Sequence, residues 1–111
     1  MERTRQQLDW YMTHDRLTGL LERTAFMNAG ERGGVRERSG TVLYIDVDGS
    51  RSLSERYGPD HVDRVMVEVA SRLRRALSEH ATLARLSHDE FAAFVRSSDL
   101  GKGRSLAEAV R

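Results

Sequence analysis

The sequence contains no cysteine, which excludes disulfides, thiolate nucleophiles and thiolate metal sites. No apolar run approaches the roughly 18 residues needed to span a bilayer, and the first residues are too polar for a secretory signal. Membrane insertion is therefore not expected, and the cytoplasm is the default compartment. An excess of one charge is lacking too: 18 Lys and Arg against 17 Asp and Glu leave a net charge of +1, with no Lys/Arg-rich run. Bulk charge thus offers no attraction to a nucleic-acid duplex or an anionic membrane. Internal repeats and low-complexity segments are also absent. What remains is 39% hydrophobic and 32% charged residues over 111 positions, enough for the core of one small domain and too apolar for a disordered chain.

Along the chain, residues 2–13 place Leu8, Met12 and Trp10 or Tyr11 at helical spacing, which predicts a short amphipathic lead-in helix. A turn centred on Thr18-Gly19 follows, then a helical pattern over 21–29 and a glycine-rich charged loop over 30–40. Residues 41–47 are short, β-branched and apolar on both parities, the pattern of a strand covered on both faces. Asp46 sits inside that run, where an unpaired buried carboxylate would be costly, so a cation or a hydrogen-bonding partner is expected. Asp48 lies two residues on, toward the same face.

After the Gly58-Pro59 turn signal, Val62, Val65, Met66, Val69, Leu73, Ala76 and Leu77 mark the clearest helix. Its stripe should cover the strand. Extended runs over 81–86 and 90–95 flank Ser87-His88-Asp89 as a β-hairpin. Ser105 and Glu108 form a capping box near the end. The order is that of an α/β (α+β) fold, a ferredoxin-like β-α-β-β sandwich with a lead-in helix over 1–13 and a domain over 14–111. It is expected to lack its last strand, which would leave the strand over 41–47 as an exposed edge.

Three separated segments carry polar residues at turns and strand ends. These are His14-Asp15-Arg16-Leu17-Thr18-Gly19-Leu20 with Arg23 and Phe26, then Ile45-Asp46-Val47-Asp48, then Arg85-Leu86-Ser87-His88-Asp89-Glu90-Phe91. In this order they resemble the GGDEF family of diguanylate cyclases, with its nucleotidyl-cyclase-like fold, over residues 14–95. The resemblance implies the chemistry of cyclic di-GMP signalling: two GTP molecules condense to cyclic di-GMP and diphosphate across an antiparallel pair of domains, each holding GTP with Mg²⁺ or Mn²⁺. It implies Asp46, Asp89 and Glu90 as metal ligands, with Asp89 and Glu90 as the catalytic carboxylates. Asp63 matches a guanine-binding Asp, and Arg51 stands where the family commonly has Lys. Hard carboxylate oxygens suit an ion that bridges phosphates.

Departures from the family pattern are equally specific. Ser54 stands where the family has an Asn, and a hydroxyl offers the guanine edge less than an amide does. Ser87 and His88 replace the two signature glycines in the part of the site that binds substrate. If either position needs φ > 0, strain of about 1–3 kcal/mol follows, and the imidazole intrudes on phosphate space. The family's product-inhibition Arg and Asp would fall at Ser78 and Ala81, so feedback there is not expected. Low or absent cyclase activity follows. The alternatives are a non-catalytic nucleotide- or metal-binding or protein-interaction module, or a piece of a longer protein without independent function. A homodimer, or completion of the open edge by another chain, is the expected assembly.

Simpler readings stand beside these. Asp46 and Asp48 alone would merely end a strand and cap a turn. His88 reads as a solvated turn residue, because Mg²⁺ prefers oxygen to imidazole. His14, His61 and His80 show no ligand spacing. Leu17, Leu20 and Phe26 read as core, and Arg72, Arg74 and Arg75 as a solvated helix face.

Overall fold

Thr4 starts the first helix with a reciprocal cap. Its hydroxyl accepts from the Gln7 amide at 3.2 Å, and the Gln7 side chain accepts from the Thr4 amide at 2.8 Å. The computed structural model describes residues 4–32, 40–77, 79 and 81–96. Two helices, α1 (Arg5–Thr13) and α2 (Arg23–Arg32), precede strand β1 (Gly40–Asp46). Helices α3 (Ser50–Tyr57) and α4 (Pro59–Leu77) follow, and strands β2 (Ala81–Ser87) and β3 (Glu90–Arg96) form the hairpin. The expected β-α-β-β order is present, with one helix more than the sequence pattern announced. Residues 97–111, with the Ser105 capping box, lie outside the described residues, as do Ser78 and His80.

The described strands form one antiparallel sheet in the order β1-β3-β2. Both outer strands run opposite to β3 and therefore parallel to each other, joined by α3 and α4. The stripe of α4 packs Val62, Met66, Ala70, Leu73 and Leu77 against Leu83, Phe91 and Ala93, with Leu20 closing the same cluster. Burial of each large side chain of this kind contributes about 1.5–3 kcal/mol. No helix among the described residues is long and apolar enough to cross a membrane.

Three expectations need correction. Strand β1 is not covered on both faces: Leu43 and Ile45 pack toward the core, while Val42 and Tyr44 are 57% and 59% exposed. Helix α4 covers one face of the sheet only, and α2 packs on β2 rather than β1. Asp46 is accordingly exposed, so no burial cost demands a partner for it. Leu17 is exposed rather than core, whereas Leu20 is buried and Phe26 half-buried. The lead-in helix forms as α1, and its apolar residues meet no core, for Leu8, Trp10, Tyr11 and Met12 are all exposed.

Helix α3 went unseen because Leu53 is its one aliphatic residue. Glycines bound it instead. Gly49 at φ 81° and Gly58 at φ 87° take positive-φ conformations that L side chains avoid, and the Gly58 amide closes the last turn on the Ser54 carbonyl at 2.9 Å.

Candidate functional site

The end of the sheet where β1 exits and the hairpin turns gathers the acids. Asp46 is the cross-strand partner of Glu90, and the Val47 amide donates to the Asp89 carbonyl at 2.9 Å. Buried Ser50, the first residue of α3, donates its hydroxyl to Asp89 Oδ2 at 2.9 Å. Ser87 donates its hydroxyl to Glu90 Oε1. Three acids, from the end of β1, the turn and the start of β3, thus lie at one end of the sheet, and two of their carboxylates accept from serine hydroxyls.

The turn itself is unstrained. No non-glycine residue among those described has a positive φ, so Ser87 and His88 carry none of the backbone penalty that replacing glycines can bring. Register slips between Arg85 and Ser87, and this bulge lets Ser87 face Glu90. The His88 ring is exposed at the tip.

A second network locks this turn to the loop before α2. Asp15 accepts from the Thr18 amide at 2.8 Å and the Thr18 hydroxyl at 2.7 Å. Arg85 reaches Asp15 Oδ2 with Nη1 at 3.2 Å and the His88 carbonyl with Nη2 at 2.6 Å, while its Nε is buried without a partner. Burial alone would raise the Asp15 pKa, but the two Thr18 donors and the Arg85 charge outweigh it and hold the carboxyl below its usual value. Arg74 of α4 donates to the Thr18 carbonyl from the other side. Gly19 supplies φ 76° in this loop, and a Cβ there would stand 2.8 Å from the Arg74 guanidinium. Leu21 then bridges to Ala84 of β2, joining the loop to the sheet.

The other anticipated site residues lie on the helix pair. Arg51 of α3 is 93% exposed and pairs with Glu55 at 3.4 Å. Ser54 is half-buried on α3, and Asp63 is half-buried near the start of α4. Sequence reasoning gave no part to Ser50, nor to the Asp15–Arg85 pair that sits inside two quoted motifs. No local spacing could have found bonds between residues 39 and 70 positions apart.

No group of three or more His, Cys, Asp or Glu able to hold a metal ion exists among the described residues. The donor set is nonetheless all hard oxygen. Mg²⁺ commonly takes only one or two carboxylates and completes its shell with phosphate and water oxygens, so these acids fit an ion that arrives with a phosphate ligand.

Comparison with known proteins is consistent across sequence and structure. Residues 12–111 match the family model described as "Diguanylate cyclase, GGDEF domain". The bifunctional diguanylate cyclase/cyclic di-GMP phosphodiesterase MucR of Pseudomonas aeruginosa is 30% identical over 112 residues, covering 97% of this chain and 16% of MucR. Diguanylate cyclase DgcM of Escherichia coli is 28% identical over 114 residues, covering 99% of this chain and 28% of DgcM. The chain therefore spans less than a third of the length of either relative. The coiled coil and GGDEF domain of DgcB from Caulobacter crescentus, solved in complex with c-di-GMP, superposes with a TM-score of 0.81 at 24% identity, over 96% of this chain and 58% of that one.

Proposed function

Since the chain belongs to the GGDEF domain family of diguanylate cyclases, the domains of cyclic di-GMP signalling, we propose that it binds GTP with a divalent cation and has little or no cyclase activity. The observation that carries this reading is the placement of three acids at one end of the sheet, where Asp46 pairs across the ladder with Glu90 and the Val47 amide binds the Asp89 carbonyl. In this proposal Asp46, Asp89 and Glu90 supply the one or two carboxylates that Mg²⁺ or Mn²⁺ would take, with the triphosphate oxygens supplying further ligands. The ion, when bound, offsets phosphate charge.

The chain's own residues orient the nucleotide. Asp63 accepts from the guanine edge, and Ser54 supplies a single short hydroxyl where an amide would offer a donor and an acceptor together. Arg51 belongs to the triphosphate end, and Ser87 and His88 border it. Low turnover follows from the Ser54 hydroxyl and from the bulk of the His88 ring, since small misplacements of reacting groups cost large rate factors. Backbone strain contributes nothing to that loss. The same proposal divides the chain into a lead-in helix over 1–13 and a GGDEF domain over 14–111. It pairs two copies for any reaction between two nucleotides, and it places the domain in the cytoplasm, where GTP is available.

Calorimetric titration of GTP with Mg²⁺, with Asp46→Ala as control and chromatography of the same samples, tests the reading. Asp46-dependent heat without cyclic di-GMP is the expected result. Absence of heat overturns nucleotide binding, and product formation overturns the inactivity.

A further inference from the structure

Asp89 is fixed at two points. Its carbonyl is bound by the amide of Val47, where β1 exits, and its carboxylate by the hydroxyl of Ser50, where α3 begins. Ser50 is 6% exposed, so this bond is sheltered from water on the donor side. A hydroxyl is a neutral donor: it orients the carboxylate without cancelling its charge, as Lys or Arg would. It engages Oδ2 and leaves Oδ1 able to take a further partner. An otherwise unrestrained Asp side chain must give up rotamer freedom when it ligates, and a donor that fixes it beforehand removes that cost from binding.

We propose that Ser50 is a positioning residue, which docks the β2–β3 turn on α3 and presents Asp89 Oδ1 to the cation that accompanies the nucleotide. This rests on the reading of Asp89 as a ligand of that cation, whereas the docking itself does not. Two measurements on the same proteins therefore separate them: amide hydrogen exchange at Val47 without any ligand, and calorimetric titration of GTP in the presence of Mn²⁺. The proteins are the wild type, Ser50→Ala, Ser50→Thr and Asp89→Asn.

Ser50→Ala should raise Val47 exchange about tenfold, because the turn loses one of its two anchors to the β1–α3 segment. It should also weaken Mn²⁺–GTP binding about tenfold, as expected for losing a hydrogen bond to a charged group. Ser50→Thr restores both. Asp89→Asn keeps an acceptor for Ser50, so exchange stays near wild type while binding is lost. Unchanged Val47 exchange in Ser50→Ala overturns the docking role. Faster exchange with unchanged Mn²⁺–GTP binding overturns the positioning role and leaves Ser50 a purely structural residue. If the wild type binds no Mn²⁺–GTP, the proposed function fails and with it the presentation of Asp89, while the exchange result still decides the docking.

Discussion

Arg85 serves two masters through one guanidinium, pairing with Asp15 and holding the His88 carbonyl. Its side chain is 9% exposed and that of Asp15 is 24% exposed, so the pair is shielded from the solvent that makes surface ion pairs nearly worthless. Removing one partner of such a pair leaves an uncompensated charge. Asp15→Ala should therefore cost about 2–3 kcal/mol at neutral pH, below the full penalty for a completely buried pair because Asp15 retains some contact with water. The cost is pH-dependent with a definite sign. The native Asp15 pKa lies below the ordinary 3.8, so its stabilising contribution is complete above the unfolded-state value and disappears as pH falls through the native one. Urea titrations at pH 7 and below pH 4 should show the gap between wild type and Asp15→Ala narrowing in acid. A gap that stays constant or widens contradicts the assignment of this charge pair.

Among the elements, legibility followed the number of apolar residues that share a face. Helix α4 was plain because its buried stripe repeats at steps of three and four residues. The hairpin was plain as well, from two short extended runs on either side of a polar turn. Helix α3 offers one aliphatic residue and is delimited by glycine conformations instead, which periodicity does not register. Strand β1 misled for the opposite reason, since its apolar residues on both parities say nothing about which face another element covers. These differences have energetic consequences along a single helix. Met66→Ala empties a fully buried position on α4 and should cost about 2–5 kcal/mol, whereas Val67→Ala, one residue on but exposed, should stay within about 0.5 kcal/mol. Equal losses in chemical denaturation would mean that α4 does not present this face to the sheet.

For the whole molecule, the three acids of the candidate site could be named from the sequence because each lies in a short motif at an element end. Their mutual fixation could not, because Ser50–Asp89 and Asp15–Arg85 exist only once strands and helices meet. For the surface, an open edge at the strand over 41–47 is an expectation of the sequence, whereas its uncovered face is not. Among the described residues β1 forms one edge of the sheet, and Val42 and Tyr44 place apolar side chains on its uncovered face. An edge that offers backbone hydrogen bonds beside exposed apolar side chains invites pairing with another chain. Natural edges are commonly blunted by an outward-facing Lys, and β1 has none. Purified chain should therefore show a molar mass in light scattering that rises with concentration. Tyr44→Lys should return it toward the monomer without loss of thermal stability, because the Tyr44 ring is already in water. Leu43→Lys, one residue away on the core face, should instead unfold the domain by forcing a charge against α4. A wild type that is monomeric at every concentration contradicts this prediction, as does a Tyr44→Lys variant that associates as the wild type does. The first outcome would mean that the β1 edge is shielded in solution, and the second that association uses another surface.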